Sequence, residues 1–124
     1  MEATFRLARQ TAAKGWYAMV SVDVTPAPHH EVMPVARQAF VWRADVGIAP
    51  DAPQEAFDGA WYALERLPDG TPTVRVVITR IQEHPAHTGP GDIKYATAHA
   101  VWRALNVQPE QDPWVGETLE WIFP

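Results

Sequence analysis

Among the 124 residues, the five histidines are the side chains most suited to chemistry near neutral pH. His84 and His87 stand in an H-x-x-H spacing, inside a loop stiffened by Pro85, Gly89, Pro90 and Gly91. With Asp92 or Glu83 as a third ligand they could hold a metal ion. The spacing differs from the helical H-E-x-x-H arrangement, where one turn aims both rings at a single zinc ion. Loop histidines without a metal are therefore the more economical reading, and no cofactor is expected. His29-His30-Glu31 forms a second polar cluster, read as an exposed loop. His99 falls in a helical stretch, where a partly buried imidazole with a hydrogen-bond partner is expected and its charge would follow pH.

Nucleophilic catalysis finds no support. There is no cysteine, no G-x-S-x-G, and Ser21 is the only serine. No acid–base carboxylate pair stands out among fifteen scattered acids. The other chemistry on offer is binding. Arg6, Arg9 and Lys14 cluster near one turn, and Lys94 follows the histidine loop. A few cations can hold a phosphate backbone, and Trp16 or Tyr17 could stack on a base. The competing reading is an ordinary surface loop, diluted by Glu83 and Asp92.

These residues must be positioned by elements. Phe5 and Leu7 alternate with Arg6 and Ala8, a short first strand. Trp16, Ala18, Val20, Val22 and Val24 alternate with Tyr17, Met19, Ser21 and Asp23, the clearest strand. Pro26 and Pro28 stop it. Residues 29–35 read as a loop or irregular edge. Residues 38–46, with Phe40, Val41 and Trp42, read as a third strand.

Asp51 is placed as the N-cap of a first helix, with Pro53 in its first turn and Gln54 completing a loose capping box. Phe57, Ala60, Trp61 and Leu64 share one face, and Glu55, Asp58, Tyr62 and Glu65 another. Pro68-Asp69-Gly70 turns the chain into a fourth strand, 73–81. That strand has β-branched residues on both faces, as in a sheet covered on both sides. A second helix follows Gly91-Asp92. Its narrow face of Ile93, Ala96, Thr97, Ala100 and Ala104 lets it lie close to a sheet.

The order β-β-β-α-β-α predicts an α+β two-layer sandwich: about four strands with two helices on one face. The open face carries Tyr17, Met19 and Trp42. The chain reads as a single domain, 1–124, with no internal repeat. Residues 1–105 hold all ten basic and eleven acidic side chains, whereas residues 106–124 carry Glu110, Asp112, Glu117 and Glu120 without Lys or Arg. Neither part has the basic balance of a dedicated nucleic-acid binder. Trp114, Trp121, Ile122 and Phe123 make 106–124 too apolar for a solvated tail. They are expected to pack on the body or on a partner, including a second copy, through Trp114, Trp121 and Phe123. No apolar run is long enough for a membrane span, and a cytoplasmic location is expected.

Read in order, residues 5–105 resemble domain IV of translation elongation factor G. Residues 9–18, RQTAAKGWYA, are similar to that family's glycine-rich hairpin, and 20–26, VSVDVTP, to the strand after it. Phe40-Val41, Ile48-Ala49-Pro50 and the first helix follow the family's strand, turn and helix. Residues 74–96 match its last strand, His-x-x-Asp-Ser-Ser loop and helix start, with His84 on the loop histidine and Ala96 on the helix alanine. Ala12 and Ala13 replace paired glycines, and His87, Thr88 and Gly89 replace the loop's Asp-Ser-Ser. No phosphate-binding loop of a GTPase is present.

The resemblance implies the fold of the second domain of ribosomal protein S5, with a left-handed crossover against the usual rule. It also implies a non-enzymatic, translation-related module whose end loops meet RNA or a partner on the small ribosomal subunit. Arg9, Lys14, Trp16, Tyr17, His84, His87 and Lys94 would be the binding residues. The rival expectation is a small enzyme or ligand-binding protein with a site at His84, His87 and Asp92.

Overall fold

A computed structural model describes residues 1–39, 51–84 and 86–124. The sheet has four strands: β1 (Glu2–Gln10), β2 (Gly15–Pro26), β3 (Glu31–Val32) and β4 (Val74–Gln82). Their order is β1-β2-β4-β3. β1–β2 and β2–β4 are antiparallel, and β3–β4 is parallel. Helix α1 (Ala52–Leu64) lies between β3 and β4 in sequence, and α2 (Asp92–Leu105) follows β4. A small hairpin of β5 (Trp114–Val115) and β6 (Trp121–Ile122) closes the chain.

The alternation in β2 sets the layers. Trp16, Ala18, Val20, Val22 and Val24 are all buried toward the helices, with Val74, Val76, Ile78 and Ile81 of β4 beside them. Each such Val or Ile is worth about 1.5–3 kcal/mol of transfer free energy. The opposite face of β4 exposes Arg75, Val77 and Arg80. Among the described residues the sheet is thus covered on one face only, and the expectation of a doubly covered strand fails. β-branched residues serve an exposed face as readily as a buried one. Between Ile78 and Ile81 the inward spacing is three. A β-bulge opposite Ser21/Val22 leaves Thr79 unpaired and returns Ile81 to the core.

The third strand is Glu31–Val32, from the segment read as a loop or irregular edge. Arg37–Ala39 forms a 3₁₀ turn where the expected strand 38–46 begins. The rest of that strand, with Trp42, lies outside the described residues, as do Ile48-Ala49-Pro50 and Pro85. Within His29-His30-Glu31, His30 Nδ1 accepts the Val74 N–H at 3.2 Å, and Glu31 pairs with Arg75. This cluster organises the β3–β4 edge.

Asp51 makes no side-chain cap, and Gln54 donates instead to Asp58 at 2.8 Å. Tyr62, placed on the outer face of α1, is buried against Trp102 and Phe123, whereas Phe57 and Trp61 are only partly buried. The helices meet through small residues. A Cβ on Gly59 would lie 2.6 Å from the Lys94 carbonyl oxygen, so only glycine permits this approach. Asn106, at φ 54°, ends α2, and the Val107 N–H reaches back to the Trp102 carbonyl at 3.0 Å.

Residues 114–124 pack on the helix side and leave the open sheet face uncovered. Trp121 stacks on Tyr95 with centroids 4.2 Å apart, and Phe123 meets Tyr62 edge-on at 5.3 Å. Trp114 and Ile122 point outward, 42% and 41% exposed.

Candidate functional site

Two loops meet at one end of the sheet. The first, 11–14, joins β1 to β2. Thr11 shapes it, accepting the Ala13 and Lys14 N–H groups on its hydroxyl at 3.3 and 3.2 Å. The second, 83–91, joins β4 to α2. There Thr88 Oγ1 accepts the His84 N–H and donates to the Tyr17 carbonyl, each at 2.7 Å. One hydroxyl therefore closes the second loop and ties it to the first strand–turn unit. The His87 ring lies against Gly15, where a Cβ would sit 2.2 Å from Nδ1.

Asp92 completes the junction. It is fully buried. Its Oδ2 accepts the Gly89 and Tyr17 N–H groups at 2.9 and 3.3 Å, and Oδ1 accepts the Trp121 indole N–H at 2.7 Å. Burial raises its pKa, while those three hydrogen bonds and the Lys14 charge pull the other way. Glu55 of α1 plays a parallel part, accepting the Gly91 N–H at 2.6 Å at the α2 N-terminus. Its pKa is also raised, chiefly by burial. Glu55 thus serves N–H groups that α2 cannot satisfy internally, at Gly91 and Lys94, whereas Asp92 serves donors from the loop, β2 and the tail.

The end loops present a short row of rings and cations. The Arg6 guanidinium lies 5.6 Å from the Tyr17 ring centroid, and Tyr17 meets His84 edge-on at 6.0 Å. His84 and His87 lie 4.6 Å apart. His84 Nδ1 accepts the Ala86 N–H at 3.1 Å, which assigns the neutral ring's proton to Nε2. A shallow concavity of about 230 Å³ opens between Arg9, Gln10, Tyr17 and His87. The geometry can hold an anion or a planar group. Among the described residues it offers no cluster of three or more metal-ligating acids and histidines.

Arg9, Lys14, Tyr17, His84 and His87 belong to this end of the molecule. Trp16 and Lys94 require correction. Trp16 is 3% exposed and packs with Leu7 and Tyr95, so it cannot serve as a stacking platform. The alternation that makes β2 a strand sends Trp16 inward and Tyr17 outward. Its indole N–H has no partner among the described residues. The Lys94 ammonium lies over the Phe123 ring at 4.2 Å, drawn to the tail side. Among the described residues the rival trio does not converge as a metal-ligand set, and Asp92 already accepts three internal hydrogen bonds.

Sequence reasoning missed Thr88 and Gly15 as loop ties and Trp121 as a partner of Asp92. It anticipated a hydrogen-bond partner for His99 but not which residue supplies it. His99 Nε2 lies 2.6 Å from Asp112 Oδ1, and the ring stacks on Phe5 at 4.7 Å. Burial lowers the His99 pKa, against the attraction of Asp112. A helical histidine followed thirteen residues later by an acid carries no local signal of such a contact.

No protein-family model matches the chain, and no curated protein matches it. Among solved structures, it is similar to the protein ttk003000868 from Thermus thermophilus, with a TM-score of 0.61 and 16% identity. The match covers 85% of this chain and 15% of that protein, so the chain spans about a seventh of the length of the structure it resembles. At this identity the likeness is one of fold alone.

Proposed function

We propose that the protein is a non-enzymatic, translation-related binding module that meets ribosomal RNA, or a partner on the small ribosomal subunit, through loops 11–14 and 83–91. The observation that carries the reading is the Thr88–Tyr17 tie, which holds both loops as one unit. Those two loops are the segments that resemble the tip of elongation factor G domain IV. Arg6, Arg9 and Lys14 supply charge, Tyr17 a ring, and His84 an imidazole N–H. The nearly neutral body limits non-specific attraction, so contact would depend on this small group.

Co-sedimentation with ribosomes and isolated small subunits across a salt series tests the reading. Binding should weaken with salt with a logarithmic slope of about −2 to −3, as expected for three phosphate contacts. Replacing Arg9, Lys14 and His84 by alanine should abolish it. No co-sedimentation at low salt, together with a small molecule retained near His84, would favour the ligand-binding rival.

A further inference from the structure

The tail hairpin has an inner and an outer face. Val115 and Trp121 oppose each other on the inner face, and Trp114 and Ile122 on the outer. We propose that the outer face docks a basic protein segment that also carries apolar side chains.

Three observations support an interaction surface here. First, among the described residues, three of the six exposed large hydrophobic side chains are Trp114, Leu119 and Ile122, within nine positions of one another. Second, the turn holds Leu119 at φ 64°, a conformation an aliphatic residue rarely adopts. It is fixed by hydrogen bonds from Leu119 N–H to the Gly116 carbonyl at 3.0 Å and from Gly116 N–H to the Glu120 carbonyl at 2.9 Å. A strained backbone that keeps an apolar side chain 38% exposed contributes nothing to the core. Third, the hairpin is firmly seated. Asp92 holds Trp121, and Tyr62 and Arg66 donate to the Pro124 carbonyl at 2.8 and 2.9 Å. A presented surface that is already ordered loses little entropy on binding.

Charge selects the occupant. Residues 106–124 carry four acids and no Lys or Arg. Asp112 is engaged by His99, which leaves Glu110, Glu117 and Glu120 exposed. Exposed Trp114, Leu119 and Ile122, with Glu117 and Glu120 between them in sequence and Lys14 as the cation beside Leu119, fit a segment that alternates cationic and apolar residues. A second copy is disfavoured by its own net charge of −5. Within the described residues β5 and β6 pair only with each other. A segment could therefore add alongside them as a strand. The proposal rests on the tail alone, so ribosome co-sedimentation can fail without touching it.

The test uses the full chain and a fluorescein-labelled peptide of alternating arginine and leucine, read by anisotropy. Arginine–serine and glutamate–leucine peptides serve as comparators. The arginine–leucine peptide should bind saturably and far better than either. Trp114→Ala should weaken it about tenfold or more, as truncation of an aromatic anchor does. Ile122→Ser, read separately, guards against a folding defect in the first variant. Glu117→Gln with Glu120→Gln should weaken binding and flatten its salt dependence. The proposal is overturned if the arginine–leucine peptide does not bind, if arginine–serine binds equally, or if neither apolar substitution matters. It is equally overturned if sedimentation shows a self-associated protein that Trp114→Ala returns to monomer.

Discussion

The end loops and the tail hairpin flank the start of α2, yet they are held in opposite ways. The loops are held by backbone donors, one hydroxyl and one glycine contact; the first carries Lys14, with Arg6 and Arg9 on the strand that enters it. The hairpin is held by stacked rings and carries acids. Asp92 belongs to both, with one oxygen on each side. Two surfaces of contrasting charge are thereby fastened to one buried side chain, and each is best understood by cutting its own attachment.

The largest effect is expected from Asp92→Ala, which strands three partly buried donors. Losses of about 1–3 kcal/mol per unsatisfied group put the cost at roughly 4 kcal/mol or more. Thermal and urea unfolding would measure it, and amide exchange should rise in both the loops and the tail. Asp92→Asn keeps the shape but turns one acceptor into a donor facing a donor. It should cost about 2 kcal/mol despite relieving a buried charge. If Asn proves neutral, Asp92 is not the shared fastening.

Trp121→Ala should separate the two regions. Removing the stack on Tyr95 and the bond to Asp92 should cost about 3 kcal/mol, at the lower end for a partly buried tryptophan. Exchange should then rise in residues 113–124 while the Thr88–Tyr17 tie stays protected. Gly59→Ala tests the helix layer that carries both, with a Cβ forced onto the Lys94 carbonyl. Overpacking of this kind costs about 1–3 kcal/mol.

The smallest effect concerns pH. His99 has a folded pKa below its unfolded value of 6.5, because burial opposes its charge. The folded state therefore binds fewer protons than the unfolded chain in that window. The His99 contribution should be fully present above about pH 6.5 and lost as pH falls through the lowered folded value. His99→Gln should flatten the stability profile there; an unchanged slope would show that the Asp112 attraction cancels burial, and a steeper one that it outweighs burial.

Period and composition made part of this legible in sequence. The alternation from Trp16 to Val24 specified β2 and its buried face, whereas the small-residue stripe of α2 includes Thr97, which meets Gly59 of α1. β3 was obscured because two residues carry no period. Tyr62 was misplaced because α1 is buried on two sides, by α2 and by the tail, which blurs a single-face reading. The two end loops could be named from sequence, but their fastening could not. Thr88, Asp92 and Gly15 act on partners far along the chain, and nothing local distinguishes a threonine that reaches Tyr17 from one that faces water.

The bulge at Thr79 has a consequence for chain length. Val22 pairs with Ile78 and Val20 with Ile81, so β4 spends three steps where β2 spends two. Removing Thr79 would restore simple alternation and leave both pairings in phase. The surplus residue is absorbed before the chain reaches His84. Relatives one residue shorter here could keep the same core and the same loop ties, losing only local strand twist. A deletion between Ile81 and Thr88 has no such slack, and would draw the second loop away from Tyr17 by about one strand rise of 3.3 Å.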